Sequence, residues 1–397
     1  MPDTLVTSTS CSPAKEILVL GATGSIGRQT LDFVEKANEK ATGLGLPRPY
    51  RIAGLYARAD ASGLARLAAR HPGAKTALAE PEVEGQADFQ GQDALASLLS
   101  ATQADIAVNG VSGASGLPVS VAVLEAGLDL ALANKESIVM GWPLLRDLAK
   151  KTKGTILPVD SEHSALFQLI SRIGKKSVVE IGITASGGPF RDWSIEQLSS
   201  VGPDAAAAHP VWKMGRKISI DSASLANKGL ELIEAAFLFE MDERDIRVLV
   251  HPQSLVHAFA RTIDGALFAH CSPPDMRIPI GLALSWPCQE PLPFPGLDLA
   301  GKRLEFFDPD SRRFPMIELA RNALRAGGAA SIVYNAANEA AVCAFESGRI
   351  GFLDIPRVVD SVLSKGWNYP TPDLLSIFQV DAEARALANR SVSEKLW

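Results

Sequence analysis

The sequence predicts an α/β protein with an N-terminal doubly wound, Rossmann-type parallel sheet, a central α+β unit and a C-terminal bundle of helices. Three observations predict this architecture. Short apolar segments alternate with helical patterns up to about residue 160, the alternation then becomes irregular, and four helical patterns follow a proline-rich segment. At 397 residues, the chain is long enough for two or three domains with cores of their own.

Composition and charge exclude several classes of protein. Hydrophobic residues make up 47% of the chain and charged residues 21%, which is close to the globular average and excludes general disorder. The net charge of −6 is spread without a basic stripe, so we expect no nucleic-acid partner. The four cysteines are too widely spaced for a zinc ribbon, and no apolar run is long enough for a membrane span. We therefore expect a cytoplasmic protein with reduced cysteines and no membrane partner.

The first predicted domain is residues 1–160, in which residues 1–14 are a flexible tail without signal-peptide features. An apolar run at Glu16–Leu20 leads through a glycine turn into a helical pattern over Ser25–Lys36, and the turn-rich segment Asn38–Pro49 is predicted as a loop. Further strands are predicted at Arg51–Tyr56, Lys75–Ala79, Asp105–Val108, Asp129–Ala133 and Thr155–Val159, and helices at Ser62–Arg70, Ala94–Leu99, Pro118–Ala126 and Pro143–Lys150. This alternation favours a parallel sheet.

Two more domains are predicted downstream. Residues 161–286 form an α+β unit with a hairpin around the turn pair Asp264-Gly265, because this pair accepts positive φ. Residues 287–311 form a linker, since Pro287–Gly301 contains four prolines and two glycines. Residues 312–397 form a helical domain, with helices predicted at Met316–Ala326, Ala330–Ser347, Ile355–Ser364 and Asp381–Leu396.

The segment Gly21-Ala22-Thr23-Gly24-Ser25-Ile26-Gly27 joins the first strand to the first helix. Glycines in this position allow a tight turn, and the helix N-terminus offers free amides and a positive dipole end to a pyrophosphate. The second strand ends in Tyr56-Ala57-Arg58-Ala59, which supplies a cation where an NAD enzyme usually has an acidic residue. We therefore predict an NADP site. The alternatives are an ordinary strand-to-helix turn and a solvated Arg58.

Carboxylates occur in two segments that suit a metal ion. In Pro158-Val159-Asp160-Ser161-Glu162-His163, an extended chain would place Asp160 and Glu162 on one face. Oxygen ligands without a nearby cysteine favour Mg²⁺ or Mn²⁺, although a solvated strand end or a helix cap is as good an explanation. In the second segment, we expect one helix that is capped by Ser222 and carries Lys228, Glu231 and Glu234 on neighbouring positions, as an ordinary salt-bridged surface helix also would.

Two segments between these carboxylates suit an anionic substrate. Thr184–Arg191 is rich in small residues whose amides and hydroxyls can bind a phosphate. Residues 207–217 combine Trp212, a methionine and cations between glycine and proline, as in a mobile flap that excludes water. A lone histidine such as His209 is more often structural than catalytic.

Together these segments resemble the 1-deoxy-D-xylulose 5-phosphate reductoisomerase family of the methylerythritol phosphate route to isoprenoids. The resemblance covers roughly residues 15–390 of the chain. It is carried by residues 21–27, 132–137, 158–163, 186–191, 209–218, 227–231, 251–254, 274–277 and 335–339. The resemblance implies a homodimer that rearranges and reduces a small sugar phosphate with NADPH and a divalent metal, Mg²⁺ or Mn²⁺, with Co²⁺ as a further candidate.

The resemblance also implies roles for individual residues. It implies metal ligands at Asp160, Glu162 and Glu231. It implies substrate positions at Lys135, Ser161, Glu162, His163, Ser186, His209, Trp212, Ser222, Asn227, Lys228, Glu231, His257 and Met276, of which Lys135, Glu162, His209 and Glu231 are the catalytic candidates. It implies cofactor positions at Thr23, Gly24, Ser25, Ile26, Ala57, Arg58, Ala59, Asn134, Glu136 and Gly215.

Some choices remain open at this stage. Lys135 and Glu162 are both candidates for moving the hydroxyl proton. Ala185, Ala226 and the long Asn38–Pro49 loop depart from the family pattern without removing a charged group. From the residues alone, the competing functions are a metal-dependent sugar-phosphate aldolase or lyase with a non-redox dinucleotide domain, and a non-catalytic NADP-sensing module.

Overall fold

A parallel sheet forms the N-terminal part of the computed structural model, which describes residues 14–208, 215–288 and 290–396. Among the described residues it has seven strands, in the order β4-β3-β2-β1-β5-β6-β7. They are β1 (Lys15–Leu20), β2 (Tyr50–Ala57), β3 (Lys75–Leu78), β4 (Phe89–Gln90), β5 (Ile106–Asn109), β6 (Asp129–Leu132) and β7 (Ile156–Pro158). The helices that connect them are α1 (Ser25–Gly43), α2 (Ala61–Arg70), α3 (Ala94–Ala101), α4 (Gly116–Glu125) and α5 (Lys135–Thr152).

The strand order reverses beside β1, and this reversal positions the site. Strand β1 pairs in parallel with β2 on one side and with β5 on the other. Residues 17–20 of β1 are fully buried, as expected for a central strand that is covered on both faces. In such sheets a crevice opens beyond the carboxyl ends of the strands at the point of reversal, and ligands bind there.

Two predicted boundaries in this domain are wrong. Helix α1 continues to Gly43, so the first six residues of the loop predicted at Asn38–Pro49 are helical; the segment has no proline before Pro47, and Glu39 and Lys40 are good helix formers. Helix α5 begins at Lys135, eight residues before the predicted start at Pro143. Non-helical φ and ψ angles at Gly141 interrupt the helix and let it accommodate the proline.

The central part has a mixed sheet in the order β11-β10-β8-β9 among the described residues. Its strands are β8 (Val178–Ala185), β9 (Ile246–Val250), β10 (Val256–Thr262) and β11 (Leu267–Cys271). Its helices are α6 (Ser161–Ile173), α7 (Ile195–Leu198), α8 (Pro203–Ala206), α9 (Arg216–Ala223), α10 (Ala226–Phe239) and α11 (Arg277–Ser285). The predicted hairpin is confirmed: β10 and β11 are antiparallel, and Gly265 between them has a φ of 86°.

The single helix predicted around Ser222 is in fact two helices. Leu225 adopts a left-handed conformation, with a φ of 60°, and separates α9 from α10. Ser222 therefore lies in the last turn of α9 and does not cap the helix that carries Glu231. The break turns α10 relative to α9, so both helices can contribute residues to one cavity.

The C-terminal part is helical, as predicted. It contains α12 (Met316–Ala326), α13 (Ala330–Glu346), α14 (Asp354–Leu363) and α15 (Leu374–Glu394). Helix α15 starts seven residues before its predicted position, because Asp373 and Ser376 form a capping box. In the described part of residues 287–311, the chain forms only an isolated pairing of Phe307 with Val250. None of the described helices is both long and apolar enough to cross a membrane.

Candidate active site

A cavity of about 950 Å³ opens beyond the carboxyl ends of the N-terminal sheet. Its wall includes the turn after β1, the residues after β6 and β7, the end of β8, and parts of α9 and α10. The predicted residues on the wall are Thr23, Gly24, Ser25, Ile26, Lys135, Asp160, Ser161, Glu162, Ser186, Gly215, Ser222, Asn227, Lys228, Glu231, His257 and Met276. The fold thus brings together residues that are far apart in the sequence.

The glycine turn after β1 has room only for glycine at two positions. Gly21 has a φ of 81°, and a Cβ there would lie 2.9 Å from the carbonyl carbon of Gly110. A Cβ on Gly27 would lie 2.5 Å from the carbonyl oxygen of Ala22. Gly24 caps α1 without a side-chain hydrogen bond, so the first amides of this helix remain available to an anionic ligand.

Three carboxylates meet on the cavity wall. Asp160 is the N-cap of α6, where its Oδ1 accepts a hydrogen bond from the Glu162 amide at 3.0 Å, and Glu162 lies in the first turn. The prediction that both residues share one face of an extended strand is therefore wrong, because the helix begins directly after Asp160. Glu231 comes from α10, and one carboxylate oxygen from each of the three residues lies within 4.8 Å of the others.

Two lysines neutralise part of this carboxylate cluster. The Lys135 Nζ donates to Asp160 Oδ2 at 3.0 Å, to Glu231 Oε1 at 2.9 Å and to the Asn227 side-chain oxygen at 2.9 Å. The Lys228 Nζ donates to Glu162 Oε1 at 3.1 Å and also to Glu231. The candidate ligand atoms of the three carboxylates are all oxygens. This donor set fits a hard divalent cation such as Mg²⁺.

Burial and neighbouring charges give the carboxylates different acidities. Burial, together with the negative charges of Glu231 and Asp160, raises the pKa of Glu162 to about 7, although Lys228 opposes the shift. Burial acts in the same direction on Asp160, but Lys135 and His163 outweigh it and hold the pKa of Asp160 well below its usual range. The carboxylates of Asp160 and Glu231, which lie beside Lys135, likewise outweigh the effect of burial and raise the pKa of Lys135. Its ammonium group therefore stays charged.

His163 lies beneath the carboxylate cluster and not on the cavity wall. Its ring is fully buried, with Nδ1 2.9 Å from Asp160 Oδ1 and Nε2 3.0 Å from the backbone oxygen of Glu231. Burial opposes protonation, but Glu234 and Asp160 raise the pKa of His163 to about 9. A protonated imidazole can donate from both nitrogens, as this geometry requires. His163 therefore orients the Asp160 carboxylate and holds the backbone of α10 at Glu231.

The remaining predicted substrate residues divide between the wall and a segment outside the described residues. Ser186, Ser222, Asn227 and Lys228 line the cavity. The predicted flap residues His209 and Trp212 lie outside the described residues. Sequence reasoning missed Ser254, which lines the cavity with a φ of 50°; its position in the segment 251–254 was the available signal.

The predicted cofactor residues are also divided. Ala57, Arg58 and Ala59 lie at the end of β2, and the Arg58 side chain is 72% exposed and 3.6 Å from Glu80. Asn134 and Glu136 are buried behind the cavity wall, where Asn134 caps α5. Arg28 and Gln29 line the cavity and were not predicted; the signal for them was their place in the first turns of α1, directly after the glycine motif.

The fold and the cavity define a class of protein. A glycine turn at the reversal point of a parallel sheet suits a dinucleotide, the carboxylate cluster suits a divalent cation, and the serines and Lys228 suit a phosphate. These three features face one cavity, which is typical of a dinucleotide- and metal-dependent enzyme that acts on a phosphorylated substrate.

Comparison with known proteins specifies this class. Three models of the 1-deoxy-D-xylulose 5-phosphate reductoisomerase family match residues 17–141, 156–239 and 271–387. The reductoisomerase of Heliobacterium modesticaldum is 44% identical over 96% of this chain and 98% of its own, and that of Rhodospirillum centenum is 42% identical over 97% and 96%.

Solved structures agree with these relatives. The reductoisomerase of Zymomonas mobilis in complex with NADPH has a TM-score of 0.86 and 38% identity over 96% of this chain and 99% of its own. A reductoisomerase in complex with NADPH, fosmidomycin and magnesium has a TM-score of 0.85 and 34% identity over 96% and 98%.

The chain belongs to the 1-deoxy-D-xylulose 5-phosphate reductoisomerase family. Its activity is the conversion of 1-deoxy-D-xylulose 5-phosphate to 2-C-methyl-D-erythritol 4-phosphate with NADPH and a metal ion, in isoprenoid biosynthesis. The predicted fold class and function are thereby confirmed.

Proposed function

We propose that the substrate lies in the cavity with its phosphate on Ser186, Ser222, Asn227 and Lys228 and its reacting carbons beside the carboxylate cluster. The observation that carries this proposal is that Lys228 lies beside both the carboxylate cluster and the proposed phosphate site. Its Nζ contacts Glu162 and Glu231, and it lies one residue from Asn227 on α10. A phosphate bound there anchors the substrate, so that binding energy gained away from the reacting carbons orients them.

Asp160, Glu162 and Glu231 would hold Mg²⁺ or Mn²⁺. A cation held there supplies Lewis acidity, which polarises a carbonyl and acidifies a hydroxyl, as a retro-aldol cleavage and re-addition requires. His163 contributes by holding the Asp160 side chain and the Glu231 backbone in place. Such supporting hydrogen bonds fix the orientation of ligands and are themselves sensitive to substitution.

Lys135 and Glu162 would handle the proton. Lys135 remains an ammonium because of its carboxylate neighbours, so it can donate a proton to a developing alkoxide. Glu162 belongs to the same cluster, and its carboxylate is the other group that can accept a hydroxyl proton. Both side chains lie beside Glu231: Lys135 donates to its carboxylate, and a Glu162 oxygen lies within 4.8 Å of it.

NADPH would bind along the glycine turn, with its pyrophosphate on the amides of Thr23–Ile26 and with Gly215 on the opposite wall. Arg58 would pair with the 2′-phosphate at the end of β2. The nicotinamide then supplies the hydride, and the protein positions it against the aldehyde formed by the rearrangement. His209 and Trp212, in the part of the proposed flap 207–217 that precedes α9, would close over the substrate and exclude water.

A coupled assay tests this proposal. Purified enzyme is mixed with 1-deoxy-D-xylulose 5-phosphate, NADPH and Mg²⁺, and the loss of NADPH absorbance is recorded with and without a chelator. We expect steady NADPH loss that the chelator stops and that an excess of Mg²⁺ restores. Fragment release without NADPH consumption would instead support an aldolase, and turnover that resists exhaustive chelation would contradict the metal assignment.

We also propose that the enzyme is a cytoplasmic homodimer that pairs through β11. This strand is at the edge of the mixed sheet, and Leu267 and Phe268 on it are 53% and 46% exposed. An exposed edge strand with apolar side chains is a template for pairing with a second chain. Sedimentation velocity is expected to show a dimer for the wild type and a monomer for Phe268→Glu. A dimeric Phe268→Glu protein would place the interface elsewhere.

The proposed domain boundaries near residues 160, 286 and 311 follow the change from one sheet to the other and then to the helices. Limited proteolysis is expected to cut first within the linker 287–311, where many residues are exposed.

A further inference from the structure

Lys217 is the centre of a second charged cluster, which lies behind the cavity wall. Its Nζ is 2.8 Å from Asp221 Oδ2, 3.4 Å from Glu136 Oε1 and 3.8 Å from Glu339 Oε1. These carboxylates belong to α9, α5 and α13, so one ammonium group joins helices from all three proposed domains. The three carboxylates outweigh burial and raise the pKa of Lys217, which therefore remains charged.

The contact with Glu136 acts on the first turn of α5. Glu136 Oε2 accepts a hydrogen bond from Asn134 Nδ2 at 2.8 Å, and Asn134 Oδ1 in turn accepts from the amide of Ser137 at 2.9 Å. Lys135 lies between Asn134 and Glu136 in the sequence, and its side chain lines the cavity. The orientation of Lys135 therefore depends on a turn that is held from behind by Asn134, Glu136 and Lys217.

The contact with Asp221 acts on the last turn of α9. Asp221 is 1% exposed and precedes Ser222 on the cavity wall. Its second oxygen accepts a hydrogen bond from Asn338 Nδ2 of α13 at 2.9 Å. Lys217 thus connects the turn that carries Lys135 to the turn that carries Ser222.

The C-terminal helices hold the cluster from the other side. Glu339 pairs with Arg385 of α15, and Arg385 Nε is 2.7 Å from Asp381. The segment Asn335–Glu339, which carries part of the family resemblance, therefore provides Asn338 and Glu339 to this cluster and no side chain to the cavity wall. The Asn338–Asp221 and Arg385–Asp381 contacts are hydrogen bonds to charged groups, which restrict relative orientation more narrowly than apolar contacts do. Lys217 and Glu339, at 3.8 Å, form an ion pair.

We propose that Lys217 is a positioning residue that fixes the position of Lys135 relative to Ser222. Glu339 and Arg385 anchor Lys217 to the C-terminal helices. The inference rests on the roles proposed above for Lys135 and Ser222. Misplacement of reacting groups by about 1 Å costs on the order of 100-fold in rate. A less fixed relative position of Lys135 and Ser222 should therefore lower turnover.

The test compares four variants with the wild type. Lys217→Met removes the ammonium, Lys217→Arg keeps a cation, and Glu339→Gln removes the anchoring charge. Arg390→Met is the control, because Arg390 is a cation on α15, the helix of Arg385, but its side chain is 66% exposed and pairs with Glu394. NADPH fluorescence gives the number of cofactor-binding sites, and the coupled assay gives kcat and KM per site.

We expect Lys217→Met to lower kcat per NADPH site about 10- to 100-fold, Lys217→Arg to recover it to within about fivefold, and Glu339→Gln to lower it about 3- to 10-fold. Arg390→Met should stay within about twofold of the wild type. Lys135→Met and Ser222→Ala in the same assay test the proposed function separately: turnover that both variants retain would refute it, whatever Lys217→Met does.

Two results would overturn the inference. If Lys217→Met loses NADPH sites in proportion to its activity, with kcat per site unchanged, then Lys217 supports folding alone. If Lys217→Met retains all its sites and its kcat and KM, Lys217 does not position the catalytic groups. A silent Glu339→Gln would overturn the proposed anchoring by α13 and α15.

Discussion

The carboxylate cluster on the cavity wall and the end of strand β2, where the 2′-phosphate of the cofactor is proposed to bind, hold their charges in opposite ways. We call them the carboxylate end and the cofactor end. At the carboxylate end, Lys228 and Glu231 are 5% and 2% exposed, and each charge has a partner within hydrogen-bonding distance. At the cofactor end, Arg58 and Glu80 are 72% and 64% exposed and lie 3.6 Å apart. A buried charge that loses its partner is strongly unfavourable, whereas an exposed pair is screened by water and contributes little. Substitutions at the two ends should therefore differ greatly in effect.

The largest effect is expected for Glu231→Gln at the carboxylate end. This substitution removes a carboxylate that contacts Lys135, Lys228 and Asn227, so we expect turnover to fall by about 1000-fold or more while NADPH binding changes little. The coupled assay and an NADPH fluorescence titration measure the two quantities. Glu240→Gln, at the exposed end of the same helix, is the control. Near-normal turnover of Glu231→Gln would rule out the metal assignment.

A pH effect is expected at the same end. Burial lowers the pKa of His257 to about 4, and the charges of His270 and Lys228 add to this shift. The unfolded chain, with a histidine pKa of about 6.5, takes up a proton that the folded chain excludes, so stability is present above pH 6.5 and is lost as the pH falls to about 4. The expected loss is about 3 kcal/mol in the free energy of unfolding.

Denaturant unfolding at several pH values measures this loss. His257→Gln has no proton to take up at this position, so its stability should fall less steeply than that of the wild type between pH 6.5 and 4. Identical pH slopes for the two proteins would show that His257 is not excluded from protonation.

A smaller effect is expected for Arg58→Asp at the cofactor end. The 2′-phosphate of NADPH would meet a like charge, so we expect NADPH affinity to fall about 10- to 50-fold and NADH affinity to change by less than about twofold. Titrations with both cofactors measure the ratio. Arg51→Asp, an exposed residue at the opposite end of β2, is the control. Equal losses for both cofactors would remove Arg58 as the discriminating residue.

The smallest effect is expected for Glu80→Gln. Removal of this carboxylate frees Arg58 from a weak, solvent-exposed pair, so NADPH affinity should rise by about two- to threefold. Isothermal titration calorimetry at low and high salt measures this change, which should shrink at high salt. A decrease in affinity at low salt would indicate that Glu80 holds Arg58 in its binding orientation.

Predictions from the sequence were most accurate where the signal is local. The alternation of apolar and helical segments predicted the strands of the first sheet except the two-residue β4, and the turn pair Asp264-Gly265 predicted the β10–β11 hairpin. Predictions failed where local conformation departs from the pattern. Leu225 breaks a continuous helical pattern, and Asp160 starts a helix where an extended strand was expected. Leucine does not signal such a break, whereas aspartate is a common N-cap, and the helix-cap alternative named for this segment is the one that the structure shows.

The sequence alone determined the order of the elements, the glycine turn and the residue types from which the site is built, because periodicity and turn chemistry depend on neighbours a few residues apart. Only the tertiary structure decided which of these residues meet. Lys135 and Glu231 are separated by 96 residues yet share a hydrogen bond, and Lys217 joins α5, α9 and α13. Such contacts depend on how the buried faces of distant helices pack together, and spacing along the chain does not encode that packing.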